Sequence, residues 1–408
     1  MDPMGRFARR SAWLALLAGL LTACDPVVIE ETRRRIEGGG DTPEALAAIA
    51  ARVEAVVSRI GSEGLEAGIA GGELGPPGLS VAVVDQGRVE WVEYYGNFSA
   101  IDPREIGPYT LFQGASISKP ITAVLALQLV EEGLLELDGD VEEVLQSWSI
   151  PENDFTATDP VTPRRIMSHT AGFNVSGFFG YPPGAPVPSL AQILRGELPA
   201  QSAAIQLVSR PGAVWSYSGG GVTVLQQIIE DVGGEPFRER AVRRVLEPAG
   251  MWTSHFEHPL PPVYEYRAAL GTPTGSNAYP ELGAAGLWSH PLDLAYFVVA
   301  VQRALAGEDD SLLGRDTARL MVERQRPGPG FFATGFPDGG MGLGFFIRGT
   351  PTPRWFWHTG GNWGFESVLV GSIEGGRGAV VMANGFRGRN VGWDVIEAVA
   401  DVYGWEDW

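Results

Sequence analysis

The sequence predicts an α+β fold: an antiparallel β-sheet flanked by terminal helices and joined to a mostly helical second lobe. Three observations lead there. Short apolar runs bounded by glycine recur near both ends of the chain, helical periodicity brackets them, and the stretch between is rich in loops and helices. With 408 residues that are 44% hydrophobic, the chain can bury a large core.

Residues 1–23 combine Arg6, Arg9 and Arg10 with an apolar run from Ala12 to Leu21 and small residues before Cys24, the only cysteine. That is the pattern of a secretory signal, and the run falls short of the ~20 apolar residues a membrane span needs. Leu21-Thr22-Ala23-Cys24 resembles a bacterial lipobox. The resemblance implies cleavage before Cys24, a diacylglycerol thioether on that residue, and a protein anchored in the bacterial cell envelope facing the periplasm. Asp25 is similar to the residue that retains lipoproteins at the inner membrane. Residues 24–44, polar and carrying Gly38-Gly39-Gly40, read as the lipidated tether.

The remainder, 45–408, reads as one domain, with an α/β lobe over 45–137 and 285–408 and a helical lobe over 138–284. Leu46, Ile49, Val53, Val56, Val57 and Ile60 have helical spacing, predicting a helix over 43–61. Leu79–Val84 and Val89–Tyr95, separated by Asp85-Gln86-Gly87-Arg88, predict a β-hairpin. Ile117, Ile121, Val124, Leu125 and Leu129 predict a helix up to Gly133, with Pro120 tolerated in its first turn. Residues 222–231 read as another helix. Near the C-terminus, strands are predicted over 342–347, 355–358, 366–373 and 377–383, followed by an amphipathic helix over 391–403. The glycine-rich stretch 328–344 reads as a surface loop or a lid.

A formal charge of −19 argues against nucleic acid as a partner, because phosphate binding needs cationic patches. One cysteine leaves no intrachain disulfide and no thiolate metal site. Of five histidines only His255 and His258 have a spacing suggestive of metal ligands, and they lie in a proline-rich loop, so no metal is expected.

The chain has one lysine, Lys119, against twenty-nine arginines, and it stands three residues after Ser116. Arginine stays protonated, whereas a desolvated lysine can lose its proton and act as a base. Spacing of three puts amine and hydroxyl on one helical face, and the first turn of a helix favours a developing negative charge. A serine nucleophile follows as the working expectation. The Gly-x-Ser-x-Gly elbow is absent, so a Ser-His-Asp hydrolase is not what the chain spells. Tyr217, beside small residues at a helix start, suits a cavity floor where neighbouring cations would lower its pKa, and on position alone suits the core equally. His358-Thr359-Gly360-Gly361 ends a predicted strand with a backbone that a ligand can approach closely.

Ser116-x-x-Lys119, Tyr217-Ser218-Gly219 and His358-Thr359-Gly360, in this order, resemble the three motifs of the serine β-lactamase and penicillin-binding-protein superfamily, closest to its class C-like branch. Ser168-His169-Thr170-Ala171-Gly172 and Ala284-Ala285-Gly286-Leu287-Trp288-Ser289 are similar to further landmarks, and the match extends over about residues 45–408. The resemblance implies Ser116 as acylated nucleophile, Lys119 as proton acceptor and Tyr217 as the group that shares the proton and later activates water. It also implies an oxyanion hole from the N–H groups of Ser116 and Gly361, with Thr359 lining the cleft and no cofactor. Two departures bear on substrate. Gly219 stands where many relatives have an asparagine that contacts an acyl amide, and His358 where they have a lysine that binds a carboxylate; histidine is neutral much of the time near pH 7. His358 resembles esterase-like and D-aminopeptidase-like members, and Phe173, Phe178, Phe179, Phe331, Phe332 and Trp363 are candidate walls of an apolar pocket. The expected function is hydrolysis of a small-molecule or peptide-like ester or amide through an acyl-Ser116 intermediate. The alternatives are a D,D-carboxypeptidase or weak β-lactamase, and a non-catalytic lipoprotein that binds cell wall.

Overall fold

The computed structural model describes residues 76–330, 334–385, 388–405 and 408, with three isolated positions in the N-terminal segment. The expected signal segment, Cys24 with the expected tether, and the body of the helix expected over 43–61 lie outside the described residues.

The α+β expectation holds. Among the described residues seven strands form one antiparallel sheet, in the order 88–96, 78–85, 378–384, 365–372, 355–362, 346–348 and 339–341. The first hairpin is β1 (Gly78–Asp85) and β2 (Arg88–Gly96), closed by Gln86 and Gly87, both at positive φ as a two-residue hairpin turn requires. From the other end of the chain come β5 (Gly339–Met341), β6 (Phe346–Arg348), β7 (Trp355–Asn362), β8 (Phe365–Ser372) and β9 (Gly378–Asn384), and β9 pairs with β1 to join both ends of the sequence in one sheet. Two boundaries differ from the sequence reading. The apolar run 342–347 is not one strand: Gly342 and Gly344, the latter at φ +86 against the methyl of Ala123, turn the chain between β5 and β6. And β7 does not stop at His358, because its pairing with β8 carries on to Asn362 opposite Phe365.

Strand alternation sorts the core into two layers. Val81, Val83, Val368, Val370 and Val381 face the C-terminal helix, whose Val391, Val395 and Val399 complete that layer. Ala82, Val84, Leu369, Val380 and Met382 face the other way, onto a helix over Pro291–Ala306 that brings Leu294, Phe297, Val298 and Val301. On that side lie the central helix α1 (Ser118–Glu131), with every residue from Ser118 to Leu129 buried, and α2 (Gly219–Gly233), against which α1 packs. The helix over Pro291–Ala306 was not predicted; proline at its first position and the left-handed Gly307 beyond its end are the sequence signals that mark it. A small sheet of β3 (Phe112–Ala115) and β4 (Leu287–Ser289) crosses the molecule beside the large one. Among the described residues no helix is long and apolar enough to cross a membrane.

Four of the five histidines are buried and His258 is half-buried, and desolvation holds each below its ordinary pKa, His255 and His258 near 4 and His358 near 3. The unfolded chain protonates them near 6.5, so this part of the stability is intact above pH 6.5 and is lost as pH falls toward 4. Glu281 and Glu230, whose carboxyls burial raises, oppose the trend. The urea midpoint should therefore drop sharply between pH 7 and pH 5, and an unchanged midpoint would contradict the buried, neutral histidines.

Candidate active site

The site begins at a strained turn. β3 ends at Ala115, whose φ of +49 is unusual for a residue with a Cβ, and the next residue is Ser116. The turn is tied on both sides: Ser118 Oγ donates to Ala115 O at 2.6 Å and accepts from Leu287 N at 3.0 Å. Helix α1 starts at Ser118, so Ser116 sits two residues before it, in a turn where its carbonyl accepts from Lys119 N at 3.1 Å. The hydroxyl is half-buried and reachable while Lys119 beneath it is buried.

Lys119 Nζ lies 2.9 Å from Ser116 Oγ and donates to Ala284 O at 2.7 Å. Burial pushes its amine down to about 7. A neutral amine with one hydrogen on Ala284 O can turn its lone pair to the Ser116 hydroxyl. The one-turn helix Leu282–Ala285 that supplies this carbonyl is stapled to α1 by Thr122 Oγ1, which donates to Gly283 O at 2.8 Å.

Tyr217 comes from the approach to α2. Its ring lies under Lys119, with Nζ 5.1 Å from the ring centroid, and its hydroxyl is hydrogen-bonded to Ser116. The expectation that cations would lower its pKa is reversed. Burial raises it, outweighing the hydrogen bond with Ser116 and the charge of Arg389. The residue is a neutral phenol, because desolvation disfavours the phenolate.

His169 was read only as part of a structural landmark, yet it sets the position of Tyr217. Its ring centroid is 4.4 Å from that of Tyr217, its Nδ1 accepts from Ser218 N at 3.3 Å, and its carbonyl accepts from Ser216 N at 2.8 Å. It holds φ +59 to do so. No local signal short of the motif itself marks such a residue.

The third motif lies on β7. β6 pairs only with Trp355–Trp357, so residues 358–362 have an edge that β6 does not cover. Gly360 is required there, since a Cβ would fall 2.2 Å from Gly114 O at the end of β3. That contact brings β7 against the Ser116 turn. His358 is buried, its Nδ1 bonded to Thr359 O at 2.6 Å, and it stays uncharged near neutral pH, mainly through desolvation. Thr359 is half-buried and Gly361 exposed. Asn362 Nδ2 donates to Gln113 Oε1 at 2.8 Å and Ala285 O at 3.1 Å, tying β7, β3 and the Lys119-binding turn together.

Sequence reasoning missed Arg389, in the first turn of the C-terminal helix (Gly388–Val402). Its guanidinium reaches within 2.6 Å of where a Cβ on Gly361 would stand, and its backbone N–H donates to Glu366 on β8 at 2.7 Å. It is a cation at the mouth supplied from outside the three motifs.

Gly219, the first residue of α2, is covered by Phe178: a Cβ there would meet the phenyl ring at 3.0 Å and Ser176 O at 3.2 Å. Phe179 and Trp363 are exposed, 77% and 54% respectively. Phe173, expected as a pocket wall, is instead fully buried in the core, and Phe331 and Phe332 lie outside the described residues. His255 stacks on Tyr264 while His258 bonds Gly286 O and Tyr279 N, and among the described residues no three His, Cys, Asp or Glu side chains gather as a metal site. A cavity of about 1430 Å³ lies at the opposite ends of the strands, between Gln302, Arg354 and Arg377; nothing in it matches the chemistry at Ser116.

If Lys119 must be neutral to accept a proton, kcat/KM rises with pH and reaches half its maximum near 7; a profile flat from pH 5.5 to 8.5 would contradict that role. Burying the amine costs on the order of 4 kcal/mol at neutral pH, because the unfolded lysine is protonated up to about 10.4 and the penalty is lost only as pH rises past that value. Leaving Ala284 O unpaired costs about 1–3 kcal/mol. Lys119→Met should therefore be less active by several orders of magnitude yet melt at a higher temperature, and a lower melting point would show the amine is not desolvated.

A family model described as Beta-lactamase matches residues 50–401. The chain is 30% identical over 145 residues to Penicillin-binding protein 4 of Amycolatopsis lactamdurans, covering 36% of each protein. It is 30% identical over 156 residues to Lovastatin esterase of Penicillium rubens, covering 35% of this chain and 38% of that one. The chain thus spans little more than a third of the length of these curated relatives. The fold is similar to that of the octameric penicillin-binding protein homologue from Pyrococcus abyssi, with a TM-score of 0.66 at 22% identity over 87% of this chain and 77% of that one. The motifs stand in the order the resemblance requires, the α+β architecture agrees, and the match runs through nearly the whole described domain: the chain belongs to the Beta-lactamase family.

Proposed function

We propose that the protein is a serine hydrolase that cleaves an ester or amide through an acyl-Ser116 intermediate. The observation that carries this reading is the buried Lys119 amine, discharged near neutral pH and 2.9 Å from the Ser116 hydroxyl. Ser116 Oγ attacks the carbonyl carbon while its proton passes to Lys119 Nζ, and the carbonyl electron pair moves onto oxygen. The N–H groups of Ser116 and Gly361 would receive that oxyanion, each contributing about 3–4 kcal/mol. Collapse expels the alcohol or amine, which takes the proton back by way of the neutral Tyr217 phenol. Water then attacks the acyl ester, its proton follows the same route to Lys119, and the acid leaves with Ser116 restored. Tyr217 relays protons here and is no phenolate base, in keeping with the raised pKa that burial gives it.

A neutral His358 at the head of the third motif removes the fixed cation that would demand a carboxylate on the substrate, and the similarity to a lovastatin esterase points the same way. A second reading, a D,D-carboxypeptidase or weak β-lactamase, is favoured by Arg389, which sets a guanidinium beside Gly361. For the N-terminus, the Leu-Thr-Ala-Cys ending supports lipid attachment at Cys24 and a periplasm-facing envelope location.

Wild-type protein should hydrolyse p-nitrophenyl esters faster than a chromogenic cephalosporin, and a fluorophosphonate adduct should map to Ser116. Ser116→Ala should lower ester turnover by at least about a thousandfold. Wild-type rates in that variant would end the acyl-enzyme reading. Cephalosporin turnover that exceeds ester turnover and collapses in Arg389→Ala would establish the second one.

A further inference from the structure

Two large rings stand in water on segments that adjoin the site, although their backbones are held firmly. Phe179 is 77% exposed, yet its carbonyl accepts from Asn277 Nδ2 at 3.1 Å and from the Tyr279 hydroxyl at 3.2 Å. Trp363 is 54% exposed at the tip of the β7–β8 hairpin, where Gly364 takes φ +80, and its N–H donates to the same Tyr279 hydroxyl at 2.9 Å. Tyr279 itself is fully buried, its ring so close to Gly180 that a Cβ there would lie 2.5 Å away, and its own N–H donates to His258 Nδ1 at 3.0 Å. One phenol oxygen, accepting from one rim and donating to the other, thereby clasps the segment that carries Phe179 to the hairpin that carries Trp363. Neither rim can drift without breaking a hydrogen bond to a group that has no water to turn to.

Both rings stand on segments that run into the site, Trp363 next to the Asn362 that bonds Gln113 Oε1 and Ala285 O, and Phe179 next to Phe178. Phe178 lies on Gly219, two residues from the Tyr217 that bonds Ser116, and the first two N–H groups of α2 are already spent on Ser176 O at 3.2 Å and Val175 O at 2.9 Å. No polar group of this helix start is left to recognise an amide. Exposed rings on rigid supports mark a surface that gains by being covered, since the apolar area is presented without the entropy of ordering it.

We infer that Phe179 and Trp363 are the two walls of a subsite for an aliphatic acyl chain without an amide next to the carbonyl, and that Tyr279 is a positioning residue that sets the width between them. The inference rests on the acyl-Ser116 reading and narrows its substrate class to esters of medium-length fatty acids. A chain that reaches both rings leaves water along its length, about 0.8 kcal/mol per buried methylene, whereas an acetyl group reaches neither.

The test is a p-nitrophenyl ester series from acetate through butyrate to octanoate, with the leaving group constant. Wild-type kcat/KM should rise at least tenfold from acetate to octanoate. Phe179→Ala and Trp363→Ala should each lower the octanoate-to-acetate ratio severalfold, and the double variant should lose less than the product of the two because the rings share one chain. Tyr279→Phe keeps the ring and removes the clasp; it should lower the same ratio mainly through a higher KM for octanoate, whereas damage confined to folding would lower kcat for every ester alike. A flat chain-length profile with turnover that still depends on Ser116 would overturn the subsite alone, as would a preference that follows the alcohol part of the ester. No turnover dependent on Ser116 for any ester would overturn the acyl-transfer reading beneath it.

Discussion

An ammonium group enclosed between α1, the Leu282–Ala285 turn and the Tyr217 ring would be an uncompensated buried charge, and the protein avoids it by leaving the amine neutral. Much else in the site follows from that choice. Burial acts on the neighbours of Lys119 in the same way, holding Tyr217 as a phenol and His358 as a neutral imidazole. Above about pH 7 all three groups rest uncharged, and on the proposed reading a proton would move among Ser116, Lys119 and Tyr217.

The backbone around the hydroxyl is shaped by close approach. Ala115 accepts a left-handed conformation so that Ser116 can leave β3 and face outward before α1 begins, and Gly360 gives up a side chain so that β7 can lie on Gly114. His169 and Val175 take left-handed conformations too, one setting Tyr217 and the other folding the Asn174–Phe179 segment over the glycines of α2. Strain of this kind persists only where surrounding contacts over-determine it. Here those contacts are the hydrogen bonds of Ser118, Thr122, Ser218 and Asn362, each of which joins two elements distant in sequence.

What could be read from the chain was what local spacing encodes. The first hairpin, α1, most of the C-terminal strands and the Ser116–Lys119 pair announce themselves by period, turn residues and a lysine count of one. The joining of both chain ends through β1 and β9 does not, since strand pairing between residues 300 apart leaves no local trace. For the same reason Arg389, Tyr279 and His169 went unseen: each acts on the site across a fold that brings it from another element, and each is an ordinary residue in its own neighbourhood. Phe173 and Phe179 show the limit from the other side. They are six residues apart with identical chemistry, yet one is in the core and the other in water, because only the backbone path decides which ring the α2 glycines leave room for.

Electrostatics then separates recognition from chemistry. The reacting centre is neutral and buried, while the one guanidinium held beside Gly361 belongs to a helix outside the motifs and is half exposed, tethered to Glu366 at 3.9 Å. A charge so placed is screened by solvent and shared with a carboxylate, so it can steer a carboxylate-bearing substrate without being required for the acyl transfer itself. The apolar rims act at short range and are insensitive to salt. On the proposed reading, an ester with an uncharged chain would need only those rims and the Ser116 turn, whereas an acid-bearing substrate would in addition draw Arg389 from Glu366.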